Sequence, residues 1–327
     1  MRAIVANAIG PPEELRVEDL PDPVPGPGEV LVDMRAAAVN FPDLLVIEGK
    51  YQIIPPHPFV PGKEGAGAVA AVGEGVEDLA VGDRVMVQVE WGTYAQKLVL
   101  AADHCFPIPD GMGFDEAAAI GIAYQTAHFA LVARAAVREG ERVLVTAATG
   151  SVGIAAIQLA KAFGCTVLAG VTTMSKAGVA LENGADHIVD LTAGNPRESI
   201  RDQVREACGA VDVAIESVGG AVFDGTVRAL DFGGRAVVVG FTSGEIASFR
   251  TNYALLKVIA VTGVNWAAYR DRDPGWVRRV QGEIFDLYCE GRIAIPVQAT
   301  FPMAEYVEAF DVIRDRRVRG KVVLSLD

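Results

Sequence analysis

Residues 145–164 read VTAATGSVGIAAIQLAKAFG: a short β-branched run, a turn of small residues, then an apolar stretch at helical spacing. Few folds accept that order. A strand that enters a helix through glycines leaves backbone N–H groups uncovered at the positive end of the helix dipole, where a pyrophosphate can sit. The common dinucleotide fingerprint is G-x-G-x-x-G. This chain has Ala148-Thr149-Gly150-Ser151-Val152-Gly153, with alanine in the first place. A tight turn that packs a helix closely on its strand is the competing reading of the same glycines.

The surroundings favour the dinucleotide. From about Gly121 strands and helices alternate: RVLVTAA, CTVLAGV, HIVDL, VDVAIESV, RAVVVGF and KVIAVTGV are short, nearly continuous apolar runs separated by helical stretches. That pattern predicts a parallel sheet covered on both faces. Before it, runs such as EVLVDMRAAAV and DRVMVQV are broken by Gly and Pro turns, which predicts a small β-rich domain. After about Trp266 a helix is expected through Val277 to Glu290, and the chain then ends on the strand GKVVLSL. The expected organisation is residues 1–120 as the first part of a β-rich domain, 121–264 as an inserted doubly wound α/β domain, and 265–327 as the completing part. At 327 residues, two domains are the natural prior.

Composition removes several function classes. Twenty-nine basic residues against forty-two acidic ones give a net charge of −13, unfavourable for nonspecific binding to nucleic acid or an anionic membrane. No apolar run of roughly 18 or more residues is present to span a bilayer, and the N-terminal MRAIVANAIG reads as a strand and not as an export signal. A cytoplasmic protein is expected. Cys105, Cys165, Cys208 and Cys289 are scattered, with no C-x-x-C pair, so free thiols are expected.

The strand after the glycines bears on cofactor choice. NAD-binding units place an acidic side chain near its end, on the ribose hydroxyls. Here no Asp or Glu occurs between Glu141 and Glu182, and the strand runs out into Thr172-Thr173-Met174-Ser175-Lys176. Hydroxyls and a cation suit a 2′-phosphate, so NADPH is expected over NADH.

The chain resembles the medium-chain dehydrogenase/reductase superfamily, in its zinc-independent NADPH:quinone oxidoreductase branch. The resemblance covers essentially the whole sequence and is carried by VNFPDLLVIEGKY, FVPGKEGAGAVAAVGEGV, VGDRV, WGTYAQ, AATGSVG, ESVGG and RGKVVL. It implies a Rossmann doubly wound parallel sheet inserted in a β-rich GroES-like catalytic domain. Zinc alcohol dehydrogenases have a ligand Cys ahead of an Asp where this chain has Asn40-Phe41-Pro42-Asp43, and Gly-His-Glu where it has Gly62-Lys63-Glu64. A zinc site needs about three or four N, O or S ligands. No metal is therefore expected; His57, His104, His128 and His187 show no ligand spacing.

The resemblance implies a hydride transfer to an acceptor that needs no Lewis acid: a quinone, or alternatively an α,β-unsaturated carbonyl or enoyl thioester such as an acyl-CoA. A third implication is a non-catalytic, crystallin-like cofactor binder. Residues Asn40 to Asp43 would approach the nicotinamide, with Tyr51, Asn40 and Asp43 as the catalytic candidates. Asn40, Thr126, Gly150, Ser151, Val152, Gly153, Thr172, Lys176, Ser217, Gly240, Phe241, Ser243, Asn265 and Arg316 would bind the cofactor, with Thr242 in the same segment. Arg316 falls where relatives meet the 2′-phosphate, and Leu191 stands where they have a tyrosine over the adenine-ribose end. Tyr51 has two readings, a proton donor after hydride addition or an aromatic pocket wall. Relatives pair the last strands of their cofactor domains, which implies a homodimer through residues 257–264.

Overall fold

Six of the apolar runs form a single parallel sheet. In spatial order its strands are His187–Asp190, Thr166–Val171, Arg142–Val145, Val211–Glu216, Leu230–Val238 and Ala260–Gly263. In chain order this is 3-2-1-4-5-6, and the direction of winding reverses between Arg142–Val145 and Val211–Glu216. Ligands of doubly wound sheets bind outside the carboxyl ends of the strands at such a reversal. Helices pack on the sheet through Ile200, Val204, Val222 and Phe223, all buried against Leu144, Leu168 and Val189.

The computed structural model describes all 327 residues as two units, Met1–Ile122 with Ile295–Asp327, and Ala123–Ala294. The return to the first unit thus falls at Ala294/Ile295, whereas the sequence suggests 264/265. The intervening helices Trp266–Arg272 and Pro274–Cys289 stay with the second unit for a packing reason. Tyr269 stacks on Phe129 at 4.3 Å between ring centroids, and Trp276 meets both rings edge-on.

The strand expected over residues 257–264 is shorter, Ala260–Gly263. Lys257 instead closes the helix Asn252–Lys257, and Val258 takes a left-handed conformation, φ 56°. The Lys257 ammonium donates to the carbonyls of Arg228 and Leu230, which holds this end of the helix against the neighbouring strand.

The first unit is β-rich, as expected. Its largest sheet has seven strands, and the long strand Glu29–Val39 pairs antiparallel with Glu64–Val72 on one side and with Lys321–Ser325 on the other. The register sets Val39 opposite Val322 and Ala37 opposite Gly65. Asn40, Glu64 and Lys321 consequently emerge side by side at one end of three adjacent strands, although 281 residues separate Asn40 from Lys321.

Candidate functional site

In the second unit, the turn between the strand Arg142–Val145 and the helix Ser151–Ala162 leads through two glycines of different kinds. A methyl group on Gly153 would stand 2.3 Å from the Ala147 carbonyl oxygen and 2.8 Å from Ala148 Cα, so packing of the helix Ser151–Ala162 on its turn requires glycine there. A methyl on Gly150 would meet only the Ala147 carbonyl oxygen, at an ordinary 3.4 Å. Protein packing does not require that glycine, and its bare backbone leaves room for a ligand to approach the half-buried start of the helix at Ser151 and Val152. The residues present therefore fit a pyrophosphate.

At the end of the next strand, Thr166–Val171, Thr172 is exposed and Lys176 is half-buried in a short 3₁₀ turn, with no carboxylate in the segment between them. Leu191 is a core residue, 2% exposed; its side chain lies under Gly170, where a methyl group would come within 2.9 Å of Leu191 Cδ2.

Across the reversal point, two loops at the carboxyl ends of Val211–Glu216 and Leu230–Val238 are bonded to one another. Thr242 donates its N–H and its hydroxyl to the Ser217 carbonyl, both at 2.9 Å. Ser243 does the same to Val218, at 3.0 and 2.6 Å. The structure thus brings Ser217, Gly240, Phe241 and Ser243 onto one platform. Beneath it lies Glu216, fully buried. Thr126 is buried on the helix Phe114–His128. Asn265 is exposed and caps the helix Trp266–Arg272 by accepting from Ala268 N–H at 3.3 Å.

In the first unit, Asn40 and Asp43 belong to a buried polar network. Asn40 begins the helix Phe41–Ile47, and Asp43 Oδ2 takes the Asn40 N–H at 2.8 Å and the Tyr94 hydroxyl at 2.7 Å. Burial pushes the Asp43 carboxyl up to about 6, against the pull of the Lys63 charge and of these hydrogen bonds. Its Oδ1 is buried without a partner. The Asn40 side chain donates to Glu64 Oε1 at 3.0 Å and accepts from Lys321 Nζ at 2.8 Å, while Lys321 also pairs with Glu64. Glu64 Oε2 takes the Ile122 N–H at 2.6 Å.

Lys63 is 5% exposed; its ammonium donates to the Glu90 carboxylate at 2.6 Å and carbonyl at 2.9 Å, and lies 4.9 Å from the centroid of the half-buried Tyr51 ring. Arg316 is exposed, past the end of the helix Tyr306–Arg314, with φ 55°.

Lys321, Tyr94, Glu90 and Glu216 were not singled out from the sequence. Three of them fall inside motifs that carry the resemblance, RGKVVL, WGTYAQ and ESVGG, but a motif does not say which of its side chains turn inward. Nowhere do three or more His, Cys, Asp or Glu side chains gather in a way that could hold a metal ion. The four cysteines are free, and burial pushes the Cys165 thiol up to about 11 and raises that of Cys208, which leaves neither as an activated nucleophile.

A doubly wound sheet with a glycine turn at its reversal point, joined in one chain to a unit with a buried polar network, defines an oxidoreductase of the dinucleotide-dependent kind. Residues 26–110 match the alcohol dehydrogenase GroES-like domain family, and residues 151–280 the zinc-binding dehydrogenase family. The quinone oxidoreductase-like protein 2 homolog of Nematostella vectensis is 36% identical over 99% of this chain and 88% of its own length. A mycobacterial protein solved in complex with NADPH superposes with a TM-score of 0.91 at 30% identity, covering 99% of this chain and all of that one. The Escherichia coli quinone oxidoreductase, also complexed with NADPH, superposes with a TM-score of 0.89 at 28% identity, over 99% of this chain and 100% of that one. The chain belongs to the quinone oxidoreductase branch of the medium-chain dehydrogenase/reductase superfamily.

Proposed function

We propose that this protein is an NADPH-dependent reductase that delivers hydride to a quinone without a metal ion. The observation that carries the cofactor choice is the carboxylate-free segment from Thr172 to Lys176 at the end of the second strand of the sheet. An acidic residue there would repel a 2′-phosphate, whereas the Lys176 ammonium pairs with it. The NADPH complexes of the two structural relatives support the same choice.

The chemistry at the two positions where zinc dehydrogenases place ligands supports metal independence. Asn40 is engaged by Glu64 and Lys321, and Lys63 by Glu90. A buried ammonium in place of a ligand imidazole repels a divalent cation. In this reading the bound nicotinamide supplies two electrons and a proton as hydride. The protein positions the acceptor, excludes water and stabilises the oxyanion that hydride addition creates. A quinone leaves as hydroquinone once its oxygen takes a proton from the Tyr51 phenol or from water. The held ring of Tyr51 also supports a second reading, reduction of an enone or enoyl thioester, whose enolate needs a positioned acid.

A cytoplasmic homodimer belongs to the same proposal. Four free thiols suit a reducing compartment, and no helix is long and apolar enough to cross a membrane. The test is to follow NADPH oxidation with benzoquinones, naphthoquinones, enones and short enoyl-CoA esters. Turnover of quinones above all others supports the proposal; turnover confined to the thioesters moves it to the second reading.

A further inference from the structure

Glu216 ends the strand Val211–Glu216 as a fully buried carboxylate that no cation pairs. Its partners are N–H and O–H groups alone: Val218 N–H at 2.9 Å and Gly219 N–H at 3.0 Å on Oε1, Gly219 N–H again at 3.2 Å on Oε2, and the Thr146 hydroxyl at 3.3 Å. Thr146 Oγ1 in turn accepts the Ser217 N–H at 2.9 Å. Burial raises the Glu216 carboxyl, and these hydrogen bonds pull it the other way. Burying such a group carries a substantial cost unless its hydrogen bonds are kept. Here two of the donors are the consecutive backbone N–H groups of Val218 and Gly219, and Thr146 links the carboxylate to the N–H of Ser217 just before them.

Those residues support the second loop. Thr242 and Ser243 are bonded to the Ser217 and Val218 carbonyls, and Gly220 N–H donates to the Glu245 carbonyl at 3.1 Å. Gly219, at φ 84°, approaches that same carbonyl so closely that a methyl group would lie 2.3 Å from it. The winding of the sheet says which part of a dinucleotide this platform serves. The pyrophosphate belongs at Gly150–Gly153 on the central strand, and the 2′-phosphate end at Thr172–Lys176 on the side of Thr166–Val171. The loops after Val211–Glu216 and Leu230–Val238 are on the other side of the reversal, the side on which the second mononucleotide half of a doubly wound sheet would receive the nicotinamide end.

We propose that Glu216 is a positioning residue for the nicotinamide half of the cofactor, acting through the Ser217–Gly219 loop and the Thr242–Ser243 segment that this loop holds. The proposal rests on the reading of the protein as an NADPH enzyme. It separates the two ends of the groove: the glycine turn and Lys176 grip one end, and a buried carboxylate sets the shape of the other.

The experiment is calorimetric titration of the purified full-length protein with two ligands, NADPH and 2′,5′-ADP, which carries the adenosine 2′-phosphate end alone. Glu216→Gln keeps the side chain's shape but replaces one acceptor oxygen by a donor, which sets N–H against N–H. It is expected to weaken NADPH about tenfold or more while leaving 2′,5′-ADP within about twofold of wild type. Thr146→Val removes one donor to Glu216 together with the acceptor of Ser217 N–H. It should shift NADPH in the same direction by about threefold, and it keeps the test open if the first variant fails to fold. Unchanged NADPH affinity in these variants, or equal losses with both ligands, overturns the proposal, since the carboxylate would then serve the whole unit or neither end. A wild-type protein that binds 2′,5′-ADP and NADPH equally well also overturns it, because no nicotinamide contact would exist to position. Wild type that binds neither ligand removes the NADPH reading itself, an outcome distinct from the others.

Discussion

The Lys63 ammonium stands 4.9 Å from the centroid of the Tyr51 ring and is fixed there by the Glu90 carboxylate at 2.6 Å. A cation over an aromatic face contributes about 0.5–1 kcal/mol at an exposed site and more when desolvated. This contact gives the Tyr51 ring a defined orientation. If the phenol protonates an enolate after hydride addition, Tyr51→Phe should lower turnover of an enone or enoyl-CoA by about 10²–10⁴. Quinone reduction should fall much less, because a hydroquinone anion is stable enough for water to protonate it. Steady-state rates with both acceptors separate the roles; equal, small effects would make Tyr51 a pocket wall.

Asp43 should leave its mark on stability against pH. Its carboxyl is raised to about 6 in the folded chain, whereas the unfolded chain has the ordinary value of 3.8. Between these values the native state binds the extra proton. Stability from this group is therefore complete below about pH 4 and is lost as pH rises to about 6, a change on the order of 2–3 kcal/mol. Asp43→Asn, which cannot ionise, should gain stability relative to wild type over that interval. Urea unfolding of both proteins at pH 4, 5, 6 and 7 measures it; parallel curves would mean that Asp43 titrates normally.

Lys176→Glu should raise the NADPH Michaelis constant by about tenfold to a hundredfold, the value of a charged hydrogen bond turned into a repulsion. NADH, without the 2′-phosphate, should be affected far less. Losses of the same size with both cofactors would show that Lys176 does not meet that phosphate.

Dialysis against a strong chelator should leave activity unchanged, and elemental analysis should find well under one zinc per chain. The residues that argue for this are Asn40 and Lys63, each already bonded to buried or half-buried partners. Activity lost to the chelator and restored by zinc alone would contradict it.

Ala260–Gly263 is an edge strand, paired on one side with Leu230–Val238, and Leu255, Leu256 and Val258 beside it are 79, 72 and 56% exposed. Unpaired edge groups next to exposed apolar side chains are normally covered. Light scattering at micromolar concentration should give the mass of a dimer, and Val261→Pro, which introduces a residue that cannot donate to a ladder, should shift it towards monomer. A wild-type monomer would refute the pairing.

The sequence by itself determined the parallel sheet, the β-rich unit and the turn at Gly150–Gly153, because apolar periodicity and glycine placement are local properties that short segments record. It also recorded the missing acid before Lys176. Other features were decided only when the chain folded. Lys321 joins Asn40 and Glu64 because two strands far apart in sequence flank a third, and no local pattern encodes that register. The strand expected from Lys257 begins at Ala260 because carbonyls of Arg228 and Leu230 hold the lysine back. The helices after Trp266 stay with the cofactor unit because Tyr269 stacks on Phe129 and Trp276 packs edge-on against both rings. Glu216 reads in sequence as one more acidic residue at a strand end; burial among N–H donors, which depends on two loops closing over it, is what makes it a support for the platform.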